Sequence, residues 1–91
     1  MKLYHVTTEK KAKLYGLTGH INKPVRGFTT LVSAMAWAIQ VGRKVIYEIE
    51  GNNDNLHKLP DHHNHLGEAW WFDEDINNYQ CVLSCTNKIK E

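Results

Sequence analysis

Arg26-Gly27-Phe28-Thr29-Thr30-Leu31 is the stretch from which the fold of this chain can be read. A short extended segment ends in two hydroxyls, and Thr30 is suited to accept a hydrogen bond from the unpaired amides of a helix beginning at Leu31. No breaker interrupts the run from Leu31 to Val41, and Gly42 supplies the stop. Leu31, Ala34, Met35, Ala38 and Val41 recur at helical spacing, and Val32, Ala36 and Ile39 fill much of the other side. Only Ser33 and Gln40 are polar, so the sequence predicts a core helix covered on more than one face. Phe28 beside two threonines also makes this junction a candidate wall for a small-molecule pocket.

Upstream, residues 2–8 alternate and are rich in β-branched and aromatic types, which predicts a strand with Leu3, His5 and Thr7 on one face and Tyr4, Val6 and Thr8 on the other. Thr7 or Thr8 then caps a short helix over Glu9–Tyr15, with Ala12 and Tyr15 or Gly16 inward. Downstream, residues 43–50 form the clearest strand, with Val45, Tyr47 and Ile49 sharing a face. Gly51 to Asn55 is a turn by composition, and residues 56–67 read as a long, histidine-rich loop. Residues 68–73 read as a strand and 73–78 as an acidic turn. Residues 79–85 read as a last strand with Tyr79, Cys81, Leu83 and Cys85 on one side, and residues 86–91 as a solvated tail. The order strand, helix, helix, several strands predicts an α+β fold: a single compact domain over residues 1–91, mainly antiparallel sheet, with one long core helix and one short one.

Composition narrows the function classes. At 91 residues with 42% hydrophobic and 23% charged residues, the chain is one small globular domain. Net charge is +1, with Lys10, Lys11 and Lys13 as its densest basic cluster, which is not the broad basic face of a dedicated nucleic-acid binder. No apolar run reaches the ~20 residues of a membrane span, and the first residues read as a strand rather than a signal peptide, so a cytoplasmic protein with no membrane partner is expected. Cys81 and Cys85 would lie about 13 Å apart on a strand rising ~3.3 Å per residue, too far for a disulfide, and read as thiols in a reducing compartment.

There is no phosphate loop, nucleophile elbow or paired CxxC. What remains is a constellation: His5 on the first strand, Thr29 and Thr30 at the strand-to-helix junction, and Glu68 at the start of a late strand. Leu3-Tyr4-His5-Val6-Thr7-Thr8, then Gly27-Phe28-Thr29-Thr30-Leu31 entering an Ala/Trp-rich helix, then Gly67-Glu68-Ala69-Trp70-Trp71-Phe72 followed by Asp75-Ile76, resembles the small ADP-ribosyltransferases over nearly the whole chain. The first motif looks like that superfamily's histidine class and the second like its Ser-Thr-Ser class. The resemblance implies an ADP-ribosyltransferase-like fold with NAD as substrate. It implies that His5, with Val6 and Thr7 beside it, holds NAD, that Phe28, Thr29 and Thr30 line the nicotinamide pocket, and that Glu68 contacts the nicotinamide ribose, giving Glu68 and His5 as catalytic residues. Glu48, Glu50 and Glu74 are the competing carboxylates.

The chemistry needs these residue types. Cleaving a nicotinamide glycosidic bond develops positive charge on the ribose, which a nearby carboxylate stabilises. A neutral histidine can donate to ribose or amide groups, Phe28 or Trp70 can stack on the ring, and Arg26 can neutralise pyrophosphate. The acceptor of ADP-ribose, protein or nucleic acid, is not specified. RNA 2′-phosphate transfer to NAD ranks lower, because such sites want more arginines than Arg26 and Arg43. A non-catalytic nucleotide- or protein-binding module of the same fold, of a size that suits a phage or mobile element, is the alternative. No metal is expected; His57, Asp61, His62, His63 and His65 are the competing ligand cluster, without a usual spacing.

Overall fold

The computed structural model describes residues 1–59 and 67–84. Among them, strands β1 (Lys2–Thr7), β2 (Val25–Phe28), β3 (Val45–Glu50), β4 (Leu56–Lys58), β5 (Ala69–Phe72) and β6 (Asn78–Ser84) form one antiparallel sheet in the order β4-β5-β2-β1-β3-β6. Helix α1 (Glu9–Thr18) follows β1 and helix α2 (Leu31–Val41) follows β2. The architecture is α+β, as the sequence predicts.

Strand alternation splits the core into two clusters on opposite faces of the sheet. On the first, Leu3, Val25, Val45, Tyr47, Ile49 and Phe72 pack with Tyr15 of α1. Tyr15, Tyr47 and Tyr79 meet edge-on, with centroids 5.5–6.4 Å apart, a preferred geometry for aromatic pairs. On the second, Val6, Phe28, Ile46 and Ala69 pack with Ala34 and Ala38 of α2. Full burial of a side chain such as Ile46 or Phe72 contributes about 1.5–3 kcal/mol.

Both helices are punctuated by side-chain chemistry. Thr8 caps α1 by accepting from the Lys11 amide at 3.2 Å, and Thr30 caps α2 by accepting from the Ser33 amide at 3.1 Å, each contributing about 1 kcal/mol. Gly42, in the left-handed region at φ 74°, ends α2. The first helix is longer than the sequence suggests. It runs through Gly16 to Thr18 and stops at Gly19, at φ 82°.

Other expectations are corrected. Leu56–Lys58 is not loop but an edge strand, because Leu56, His57 and Lys58 find partners in Phe72, Trp71 and Trp70. The acidic turn contains a core residue: Ile76 is 1% exposed and bridges Ile21 through two 2.9 Å backbone hydrogen bonds. A β-bulge between β3 and β6 opposes Tyr47 to Cys81 but Ile46 to Leu83. Leu83 therefore joins the α2 face and Tyr79 the tyrosine face, so the expected common side for Tyr79, Cys81 and Leu83 does not hold. Helix α2 is covered on one face only, with Val32 and Ile39 75% and 81% exposed. Cys85, the expected tail, and Asp61, His62, His63 and His65 lie outside the described residues.

One contact fixes the centre of the sheet. A Cβ on Gly27 would meet Leu3 Cβ at 2.7 Å and the Tyr4 carbonyl oxygen at 3.1 Å, so β2 approaches β1 here only as glycine. Gly27→Ala is expected to destabilise the fold by about 1–3 kcal/mol through overpacking, read as a lower urea midpoint at unchanged m-value.

Candidate active site

Along β3, β1 is paired from Lys2 to Thr7, but against β2 it registers through Tyr4 opposite Phe28. Beyond that pair the strands part. A cavity of about 540 Å³ lies at the parting, bordered by His5 and Val6 of β1, Arg26, Gly27 and Phe28 of β2, and Ala69 of β5. Trp37 of α2 closes one side, its ring 6.2 Å from that of Phe28. Lys11, Pro24, Arg43 and Leu59 complete the wall. Among the described lining residues three carry a positive charge and none a negative one. Arg43 is anchored by its guanidinium donating to the Val6 carbonyl at 3.4 Å.

His5 spans the parting. Its Nδ1 lies 2.7 Å from the Arg26 carbonyl oxygen, and its Nε2 lies 3.0 Å from the Tyr15 hydroxyl. A carbonyl only accepts, so Nδ1 carries the proton. In the neutral ring Nε2 then accepts from Tyr15, and Thr7, 3.2 Å away, donates to the Tyr15 oxygen in turn. Tyr15 is held from behind, where Tyr79 donates to its backbone carbonyl at 2.9 Å. Burial lowers the His5 pKa below the ordinary value; the Arg26 carbonyl opposes that shift, and Lys11 and Arg43 add to it. His5 is thus a neutral, fully partnered strut across the cleft, and neither ring nitrogen is left free to donate to a ligand.

Glu68 follows Gly67, whose φ of 129° and contact with the Ser33 side chain seat the chain against the first turn of α2. The Thr29 amide donates to the Glu68 carbonyl at 3.1 Å, which joins the second and third motifs through the backbone. The Glu68 carboxylate is exposed, accepting from Trp70 Nε1 at 3.1 Å and pairing with Lys58 at 3.2 Å. The Trp70 hydrogen bond and Lys58 hold its pKa below the ordinary carboxylate value, so it is ionised at neutral pH.

Of the residues expected at the site, His5, Val6, Arg26 and Phe28 border the cavity. Thr7 is buried behind it in the Tyr15 chain. Thr29 and Thr30 do not border it; the Thr29 amide is held by Glu68 and the Thr30 hydroxyl by Ser33. Trp70 packs with the tyrosine-face core, on the side of the sheet opposite Phe28, and keeps Glu68 company there. Lys11, Trp37 and Leu59 are not among the expected site residues, and Arg43 enters the sequence reading only as a second arginine beside Arg26. Their only sequence signals are a basic cluster, a lone tryptophan in an alanine-rich helix, an Arg-Lys pair after a helix stop and the first residues of a loop.

No family model, curated protein or solved structure matches the chain.

The His5 geometry has a pH signature. Free imidazoles titrate near ~6.5, and the folded value is lower, so as pH falls the unfolded chain takes up this proton first. The His5 contribution to stability is fully present above ~6.5 and is lost as pH falls through the folded pKa. His5→Asn, which keeps a donor for the Arg26 carbonyl, is expected to have a shallower loss of urea midpoint than wild type between about pH 7.5 and pH 5. Equal slopes would mean that folding does not lower the His5 pKa.

Proposed function

We propose that this chain is an ADP-ribosyltransferase-like protein that binds NAD across the parting of β1 and β2 and transfers ADP-ribose from it. The observation that carries the reading is the adjacency of β5, β2 and β1 in the sheet. It puts the three motifs, distant in sequence, on neighbouring strands, with His5, Phe28 and Ala69 bordering the cavity and the Glu68 carboxylate on the other face of the sheet. The lining suits the substrate: Phe28 and Trp37 offer aromatic surface to a nicotinamide ring, and Lys11, Arg26 and Arg43 offer charge to a pyrophosphate.

In the proposed reaction the bond between ribose C1′ and the nicotinamide nitrogen breaks, and nicotinamide leaves neutral with the bonding pair. An acceptor nucleophile bonds to C1′ and loses its proton. Glu68 is the carboxylate for the positive charge that develops on the ribose, and to act it must leave Lys58 and Trp70 on the other face of the sheet and reach the cavity. His5 contributes by position, holding the β2 backbone at Arg26 so that the cavity keeps its width.

A second reading has its own observation. Glu68 is ion-paired with Lys58 and does not border the cavity, as would suit a non-catalytic nucleotide-binding module of the same fold. Two measurements separate the readings. Millimolar NAD is expected to raise Tm by a few degrees through mass action, and wild type is expected to release nicotinamide from labelled NAD at a rate at least a hundredfold above Glu68→Ala. Because the Glu68–Lys58 pair is exposed, its loss leaves the fold intact. Stabilisation by NAD with no nicotinamide release supports the binding module. No stabilisation at any NAD concentration contradicts both.

A further inference from the structure

A row of side chains leads away from the cavity on its α2 side. Arg26 of β2 pairs with Trp71 of β5, and Trp71 pairs with His57 of β4, so the three share a face. At a strand spacing of ~4.8 Å the row spans roughly 10 Å, from the cavity lip at Arg26 to the edge of the sheet. The His57 and Trp71 rings lie 4.6 Å apart at 30°, close to stacked. Helix α2 packs chiefly on β1, β2 and β3, which leaves Trp71 and His57 beside the helix rather than beneath it. Arg26 and His57 are exposed and Trp71 is half-buried.

The charge at the cavity lip is positive. Lys11 and Arg43 stand with Arg26 around the cavity, whereas the Glu68–Lys58 pair is on the opposite face with Trp70. Of the acidic residues after β5, Asp73 is exposed two residues beyond Trp71, Glu74 accepts from the Asn52 amide and Asp75 from the Lys23 amide at 2.9 Å.

We propose that this row docks single-stranded nucleic acid and thereby presents it as the acceptor at the neighbouring cavity. The acceptor role rests on the function proposed above; the binding does not. Stacked rings beside a cationic lip match the two features common to every single strand, an exposed base face and a phosphate. A duplex keeps its bases stacked on one another and cannot use the rings. An acidic peptide would use the cations and leave Trp71 and His57 without a role.

Fluorescence anisotropy with labelled single-stranded DNA and RNA of about 12 nucleotides tests this. Wild type is expected to bind at micromolar concentrations in low salt, to bind more weakly as salt rises, and to bind a duplex of the same length at least tenfold more weakly. Trp71→Ala is expected to lose tenfold or more in affinity while keeping the wild-type Tm shift with NAD. His57→Ala, on the exposed edge strand, is a second variant with less risk to the fold, and should lose severalfold. Absence of single-strand binding, equal binding of duplex, or wild-type affinity in both variants would overturn the proposal. Single-strand binding without any NAD effect would uphold this surface and sink the NAD pocket; an NAD effect without single-strand binding would do the reverse.

Discussion

One imidazole holds the centre of this sheet together where its backbone ladder lets go. After Tyr4 and Phe28 the first two strands part, which would leave the Arg26 carbonyl without its ladder partner. The Nδ1–H of His5 takes that place at 2.7 Å. The proton stays on Nδ1 because Tyr15 and Thr7 satisfy the other nitrogen in a chain of hydroxyls. Gly27 sets the closest approach, His5 the distance just beyond it, and the cavity is what the two leave open.

The cavity then inherits its character from elements that have separate reasons to be there. Phe28 and Trp37 belong to the packing of α2 on the sheet. Arg43 follows the glycine stop of α2 and is tied to β1, and Lys11 lies on the first turns of α1. A chain with a net charge of only +1 thus concentrates three cations around one opening, and it is the local field rather than the total that attracts an anion. The carboxylate of the third motif stands apart, held ionised by Trp70 and Lys58. Catalysis through it requires that exposed pair to open and the carboxylate to move from the other face of the sheet to the cavity.

Much of the scaffold is legible in the sequence because it rests on local chemistry. The alternation of Leu3, His5 and Thr7, the Thr30 cap, the Gly42 stop and the run Val45–Ile49 each declare their element without a partner. What is not legible depends on partners. Leu56-His57-Lys58 is too short to show a period and becomes a strand only through β5. Ile76, alone among acids and asparagines, is core only because Ile21 bridges it. A single bulge reverses the side on which Leu83 falls, and no residue type in β6 announces it. Helix α2 looks buried all round because apolar residues fill its circumference, yet the one sheet face it meets covers only part of it. The same limit applied to the site: His5, Arg26 and Phe28 are visible as motif residues, whereas Lys11 and Arg43 reach the cavity only once the helices have docked.

Amide and indole chemical shifts measured during an NAD titration decide whether a nicotinamide dinucleotide occupies the parting of β1 and β2, as proposed. Progressive shifts centred on His5, Val6, Arg26, Gly27 and Phe28, together with the Trp37 indole, are expected. Shifts centred elsewhere in the chain, or none at millimolar NAD, would contradict the proposal.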